Sequence, residues 1–396
     1  MSRQARETGR YEGELWEVLK AVRPADQRAK ERAKRRWASV AKPIGSLGVL
    51  EEDVIKIAGI TGSADRIDLE KTALTVICAD HGVALEGVTQ TGQEVTRIVA
   101  ENFTKDSTSV TKMCRVAGTD VFPVDMGMLG ERAVRKEPVP FALLDRKVRE
   151  GSRDLLLEAA MTREETAAAL LSGIRLAGDL KRMGYGLLAV GEMGIGNTTP
   201  TGALMAVLLR RPAEAVTGRG AGLSDAGYAR KTEVVRGAAE RFYAKYPDWN
   251  SLGADASLGV FPGKEDALTL LSELGGFDIA GMAGVFLGGA VSRIPVVADG
   301  IISTVSAALA ACLCRLVPEF LLASHVSREP GGEALLKRLG LFAPLHLGMH
   351  LGEGSGAVAM IPLLKMGAAV YNEMSTFEEI KVEAYVDYGA GEGGEA

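Results

Sequence analysis

From about residue 70 onward the chain alternates short, unbroken apolar runs with longer stretches whose apolar positions recur at helical spacing. Thr75-Val76-Ile77-Cys78-Ala79 leads into Asp80-His81-Gly82, and Val121-Phe122-Pro123-Val124 into Asp125-Met126-Gly127. Leu187–Val190 leads across Gly191 into Glu192-Met193-Gly194, and Ile294-Pro295-Val296-Val297-Ala298 into Asp299-Gly300. Runs that are apolar throughout, not at every second position, predict parallel strands covered on both faces. Helices between them complete an α/β layer. The expected fold is a doubly wound, mostly parallel sheet of Rossmann-like type. Before it, an amphipathic stripe of Leu15, Trp16, Val18, Leu19 and Val22 ends at Pro24, and a further helix is expected over Leu50–Ile60. Helices over Leu363–Met374 and Phe377–Val386 would pack with the opening ones. This divides the chain into a small helical lobe (1–41 and 335–388) and a large α/β substrate-binding domain (42–334). The polar, glycine-rich tail 389–396 is expected to be disordered.

Each of the four apolar runs closes with an acid and a glycine. Asp and Gly are common wherever strands turn into loops, but ligands of open α/β sheets bind outside the carboxyl ends of the strands. Asp80, Asp125, Glu192 and Asp299 are therefore expected to converge on one crevice. The segment Gly186–Pro200 is the most telling. After Glu192 the backbone turns through Gly194 and Gly196, where only glycine is comfortable. Asn197-Thr198-Thr199-Pro200 then starts a helix, with Thr198 or Thr199 as N-cap and Pro200 at its first position. Free N–H groups and the positive helix end face one spot, which makes an anion site with an acid beside it. The pairing suits a phosphorylated substrate that also carries or develops positive charge.

Two other glycine-rich segments accompany it. Gly218-Arg219-Gly220-Ala221-Gly222 precedes an expected N-cap at Ser224-Asp225 and a helix carrying Lys231, which could supply a point charge to a phosphate. In Leu351-Gly352-Glu353-Gly354-Ser355-Gly356-Ala357 a glutamate opens an apolar helix. Burial there would raise its pKa toward that of a general base, while an acid at a helix N-terminus also has a purely structural use. The order GEMGIG is not the dinucleotide fingerprint Gly-x-Gly-x-x-Gly, and no phosphate-loop motif ending in Gly-Lys-Ser/Thr occurs.

Composition narrows the classes further. With 46 basic and 51 acidic residues the chain offers no global field for nucleic acid, and the basic stretch Arg28–Arg36 reads as a solvated helix face. Cys78, Cys114, Cys312 and Cys314 form no Cys-x-x-Cys pair, and His81, His325, His346 and His350 show no ligand spacing, so no metal site is expected. The N-terminal stretch lacks an apolar signal core. The apolar windows Ile279–Val291 and Gly300–Cys314 fall short of a membrane span. The expected location is the cytoplasm.

Seven stretches together carry a resemblance: Lys42–Gly48, Asp80–Val83, Gly191–Pro200, Gly218–Gly222, Leu274–Ala280, Arg293–Ser303 and Leu351–Ala357. In order, over about residues 42–380, they resemble the nicotinate-nucleotide–dimethylbenzimidazole phosphoribosyltransferase family of cobalamin lower-ligand assembly. The resemblance implies transfer of 5-phosphoribose from nicotinate mononucleotide to a benzimidazole nitrogen, with inversion from β to α. It implies Glu353 as the general base and Glu192 as an orienting and electrostatic acid. Substrate-binding positions implied in the same way are Asp80, His81, Thr91, Val95, Gly194, Gly196, Asn197, Thr198, Gly220, Ala221, Gly222, Lys231, Asp299, Ser327 and Leu351. It further implies a homodimer whose partner helps close each site. A pyridinium is already a good leaving group, so neither metal nor cofactor is demanded. One departure bears on the acceptor. After Glu86-Gly87-Val88-Thr89-Gln90 the family has an aromatic residue and proline, and this chain has Thr91-Gly92. Two other readings therefore stand beside the first: the same donor with a purine or phenolic acceptor, or a non-catalytic nucleotide- or benzimidazole-binding subunit.

Overall fold

The computed structural model describes residues 9–130, 139–252, 254–255, 259–260 and 262–385. The tail 389–396 lies outside the described residues.

Six strands form one parallel sheet: β1 (Thr72–Ala79), β2 (Thr119–Gly127), β3 (Leu144–Asp145), β4 (Leu187–Met193), β7 (Val296–Ala298) and β8 (Leu321–Ala323). Their order across the sheet is β3-β2-β1-β4-β7-β8. Two-residue strands β5 (Ala254–Asp255) and β6 (Gly259–Val260) pair separately and antiparallel. The chain starts the sheet in its middle with β1, builds outward through β2 and β3, then returns to the other side of β1 with β4. This reversal is the doubly wound topology expected from the unbroken apolar runs, and it opens a crevice between β1 and β4 at their carboxyl ends.

Alternate strand residues serve opposite faces, as pleating requires. Leu188 and Val190 join Ile77 in the core under the helices Arg163–Arg182 and Phe277–Ser292, whereas Leu187 and Ala189 join Leu74 and Val76 in the core under Val49–Thr61 and Ser355–Glu373. The helices Arg163–Arg182 and Phe277–Ser292 approach through glycines. A Cβ on Gly284 would run into the Leu170 carbonyl and lie 3.0 Å from Gly173 Cα. At the termini, Trp37 of the helix Gln27–Ser39 meets Tyr371 edge-to-face at 5.2 Å.

Three local expectations are corrected. The helix after the Gly194–Gly196 turn runs Thr198–Leu209 with Asn197 as its flanking residue, so Pro200 is its third residue and no side chain caps it. Asn197 is committed to two carboxylates instead, as described below. A single helix, Ser355–Glu373, replaces the expected Leu363–Met374 and continues through Pro362. Residues 377–381 form a turn, and Val40 bridges Thr376. Only Phe377 of this segment is buried; Ile380, Val382 and Tyr385 remain exposed. Without a packed apolar face a helix of that length is not stable alone.

Candidate active site

At the carboxyl ends of β4 and β7 lies a cleft of about 290 Å³. Its floor is the Glu192–Thr198 turn, and its walls are the Gly218–Leu223 loop, the residues after β7 and the loop before the helix Ser355–Glu373.

The turn is formed as glycine permits, with Gly196 at φ 97°. The Ile195 N–H is held by Thr96 Oγ1 at 3.0 Å. Across from it, Gly220 and Gly222 adopt φ 53° and 96°. Lys231 reaches in from the helix Asp225–Lys245, whose N-cap is Ser224 as expected. Its ammonium is buried and donates to Thr198 Oγ1 at 2.7 Å and to the Gly218 carbonyl at 2.9 Å. Burial lowers its pKa to about 8, partly opposed by Glu329. A desolvated cation among glycine amides is a site for one anionic group.

The acids stand on the other side. Glu192 accepts from Asn197 Nδ2, which also donates to Asp278 Oδ2 at 3.2 Å. Burial pushes Glu192 well above the usual carboxyl range, and Asp278, Asp299 and Glu353 add to the shift. Asp299 accepts the N–H groups of Gly356 and Ala357 at 2.7 and 3.1 Å. It thereby closes the N-terminus of the helix Ser355–Glu373. Burial raises its pKa, against the pull of His325 and of those backbone donors. Glu353 has φ 60° between Gly352 and Gly354 at 84° and 83°. A non-glycine residue held there costs on the order of 1–3 kcal/mol, and such strain clusters at functional sites. The surroundings impose it: a Cβ on Gly191 would strike the Glu353 carbonyl, and Val110 N–H holds Glu353 Oε2 at 3.4 Å. Burial raises the Glu353 pKa as well, opposed by the Val110 N–H.

Of the residues singled out from sequence, Glu192, Gly194, Gly196, Asn197, Thr198, Gly220, Ala221, Lys231, Asp299, Ser327, Leu351, Glu353 and Thr91 line the cleft. Asp80, His81, Val95 and Gly222 do not. Asp80 accepts the Leu129 N–H at 2.8 Å beyond β2, and His81 is fully buried behind the floor. Val95 lies in the first turn of the helix Glu94–Thr104, and the Gly222 carbonyl accepts from Gln90. Nor does Asp125 reach the cleft; it accepts the Met128 N–H at 2.9 Å. The four acids therefore divide two and two. Sequence reasoning missed Ser303, His325 and Glu329, which line the cleft, and Asp278, which grips Asn197. Asp278 and Ser303 fall in stretches that carried the resemblance, whereas Glu329 had no local signal. Among the described residues no group of His, Cys, Asp or Glu could hold a metal ion, and no helix is long and apolar enough to cross a membrane.

A crevice at a sheet's switch point, holding an anion cradle opposite buried carboxylates, defines an α/β enzyme that handles a phosphorylated substrate with cationic character. A family model described as Phosphoribosyltransferase matches residues 22–382. The nicotinate-nucleotide–dimethylbenzimidazole phosphoribosyltransferase of Clostridium tetani (strain Massachusetts / E88) is 36% identical over 368 residues, 93% of this chain and 95% of that relative. The enzyme of that name from Roseiflexus sp. (strain RS-1) is 39% identical over 373 residues, 94% of this chain and 99% of its own length. The crystal structure of CobT from Thermus thermophilus superposes with a TM-score of 0.79 at 37% identity, covering 90% of this chain and all of that one. The chain belongs to the nicotinate-nucleotide–dimethylbenzimidazole phosphoribosyltransferase family.

Proposed function

We propose that this chain transfers the 5-phosphoribosyl group of nicotinate mononucleotide to 5,6-dimethylbenzimidazole, giving α-ribazole 5′-phosphate and nicotinate. The observation that carries the reading is Glu353: a strained, partly buried carboxylate of raised pKa facing the same cleft as the Lys231 cradle. The donor phosphate sits against Lys231, with the backbone of Gly196, Thr198 and Ala221 beside it. Glu353 takes the N–H proton of the benzimidazole as its other nitrogen attacks C1′. The C1′–pyridinium bond breaks, its electron pair goes to nicotinate, and C1′ inverts. As that bond stretches, positive charge on the ribose is met by Glu192 and Asp299, fixed in a site that needs no reorganisation. Burial, helped by these neighbouring acids, raises the Glu192 pKa in the free protein, and the arriving cation favours its ionised form.

The acceptor is supported by the apolar side chains of Val88, Met193 and Leu351 around the mouth. Thr91 lies there exposed and without the family's aromatic. Incubating pure protein with nicotinate mononucleotide and dimethylbenzimidazole, adenine or p-cresol, followed by mass spectrometry, tests donor and acceptor together. Failure to release nicotinate with any base would refute the transfer; preference for adenine or p-cresol would reassign the acceptor. A cytoplasmic homodimer belongs to the same proposal, supported by exposed Leu85 and Ile98 on segments flanking Thr89–Thr91. Light scattering and cell fractionation check these two points.

A further inference from the structure

The resemblance placed His81 among the substrate contacts, yet its side chain is fully buried behind the cleft. There His81 Nε2 lies 3.0 Å from Asp278 Oδ1, and Asp278 is fully buried too. The other Asp278 oxygen accepts from Asn197 Nδ2, whose amide also holds Glu192. Four residues from three distant parts of the chain thus form one line from the carboxyl end of β1 to the cleft floor. Two glycines make room for it. A Cβ on Gly194 would lie 2.9 Å from Asp278 Oδ2 and 3.1 Å from His81 Nε2, and one on Gly276 would strike the His81 ring.

We propose that His81 is a positioning residue of the transfer site: its protonated ring holds Asp278, which fixes the Asn197 amide and keeps the Glu192 carboxyl toward the ribose. The argument is one of charge. Glu192 and Asp278 share a single neutral amide in a buried setting, where two unbalanced negative charges are costly. A cationic ring against the Asp278 carboxyl offsets this crowding and leaves Asp278 in place as an acceptor of the Asn197 amide.

The groups facing the ring agree. Burial alone would lower the His81 pKa, but Asp278 and neighbouring Asp80 carry it above the usual value. The segment paired with His81 through Ser152 carries Arg149 and Arg153, and Arg153 is engaged by Glu165 at 2.8 Å. Glu192 lies beyond Asn197. Neither ring nitrogen makes a well-aligned hydrogen bond among the described residues, and the Nε2–Asp278 contact is an ion pair only if the ring is protonated, so the protonation state of the ring is the decisive measurement.

The kinetic arm of the test rests on the transfer reading; the spectroscopic arm does not. Two measurements on the full chain test the proposal: ring ¹⁵N shifts of His81, one of four histidines and assigned by its loss in His81→Gln, and steady-state kinetics of that variant against pH. The expected result is a doubly protonated ring near neutral pH. In His81→Gln, kcat is expected to fall about tenfold or more with the KM for nicotinate mononucleotide within about threefold. The decline of wild-type kcat as pH rises through the imidazole pKa should vanish in the variant. A neutral His81 ring overturns the proposal, as does a folded His81→Gln enzyme with wild-type kcat and pH profile. Should His81→Gln not fold, the ring shifts of the wild-type chain, assigned by elimination with variants of the other three histidines, decide alone. Absence of nicotinate release from any base would fail the transfer reading while leaving those shifts to judge the His81–Asp278 pair.

Discussion

Replacing Glu353 by Gln separates what this residue does for the reaction from what it does to the fold. The substitution keeps the length of the side chain and one carbonyl oxygen to accept the Val110 N–H, but it cannot take a proton. Loss of a positioned general base lowers kcat about 10²- to 10⁴-fold, which is about 3–5 kcal/mol of barrier at about 1.4 kcal/mol per decade. Donor binding depends on Lys231 and the glycine amides, so the KM for nicotinate mononucleotide should change little. Stability should move the other way. Burial raises the Glu353 pKa above its ordinary value of 4.5, so the folded state prefers the protonated form. The ionised side chain therefore costs stability increasingly as pH rises above the unfolded value, levelling off beyond the raised one. Gln has no such cost, and its backbone still bears the φ of 60°. Urea melts at acid and mildly alkaline pH should show variant and wild type converging at the acid end, with the variant the more stable at the alkaline end. Nicotinate release read by chromatography supplies the kinetics. A kcat within about threefold of wild type would remove Glu353 as the base, and a variant less stable than wild type at alkaline pH would refute the burial argument.

Lys231→Met should raise the KM for nicotinate mononucleotide about 10- to 100-fold, matching the ~1.5–3 kcal/mol of a charge-assisted hydrogen bond; in wild type that KM should climb as pH passes about 8, where the buried ammonium loses its proton. Equal donor KM values for variant and wild type would move the phosphate elsewhere. Gly284→Ala should destabilise the fold by about 1–3 kcal/mol in urea melts, because its Cβ has no space against Leu170 and Gly173; a neutral result would mean the two helices can part freely. Gly352→Ala should depress kcat and cost about 1 kcal/mol of stability, since φ is 84° and the new Cβ would lie 2.5 Å from Glu192 Oε1. Unchanged turnover in that variant would show that Glu192 need not be held where it is.

Much of this molecule could be read along the chain, because the relevant physics is local. A run such as Leu187–Val190 is apolar at every position, as a strand buried on both faces requires; the sheet and its switch point follow. Gly194, Gly196 and Gly352–Gly354 mark backbone turns that other residues resist, which is how the cradle and Glu353 were recognisable. Lys231 was found by its place after a glycine-rich loop. Whether an acid at a strand end faces the cleft depends on where the next loop passes. Asp80 and Asp125 are claimed by the amides of Leu129 and Met128, whereas Glu192 and Asp299 are not drawn to that side. The same holds for Asn197. Thr198 or Thr199 was the expected cap, yet the helix begins beside Asn197, whose amide goes instead to two buried acceptors, Glu192 and Asp278, 5 and 81 residues away. A buried donor goes where its desolvation is best compensated, and no local pattern encodes that choice. The sequence alone determined the layers, the turns and the candidate acid and base; tertiary packing decided which acids share one cleft and which histidine stands behind them.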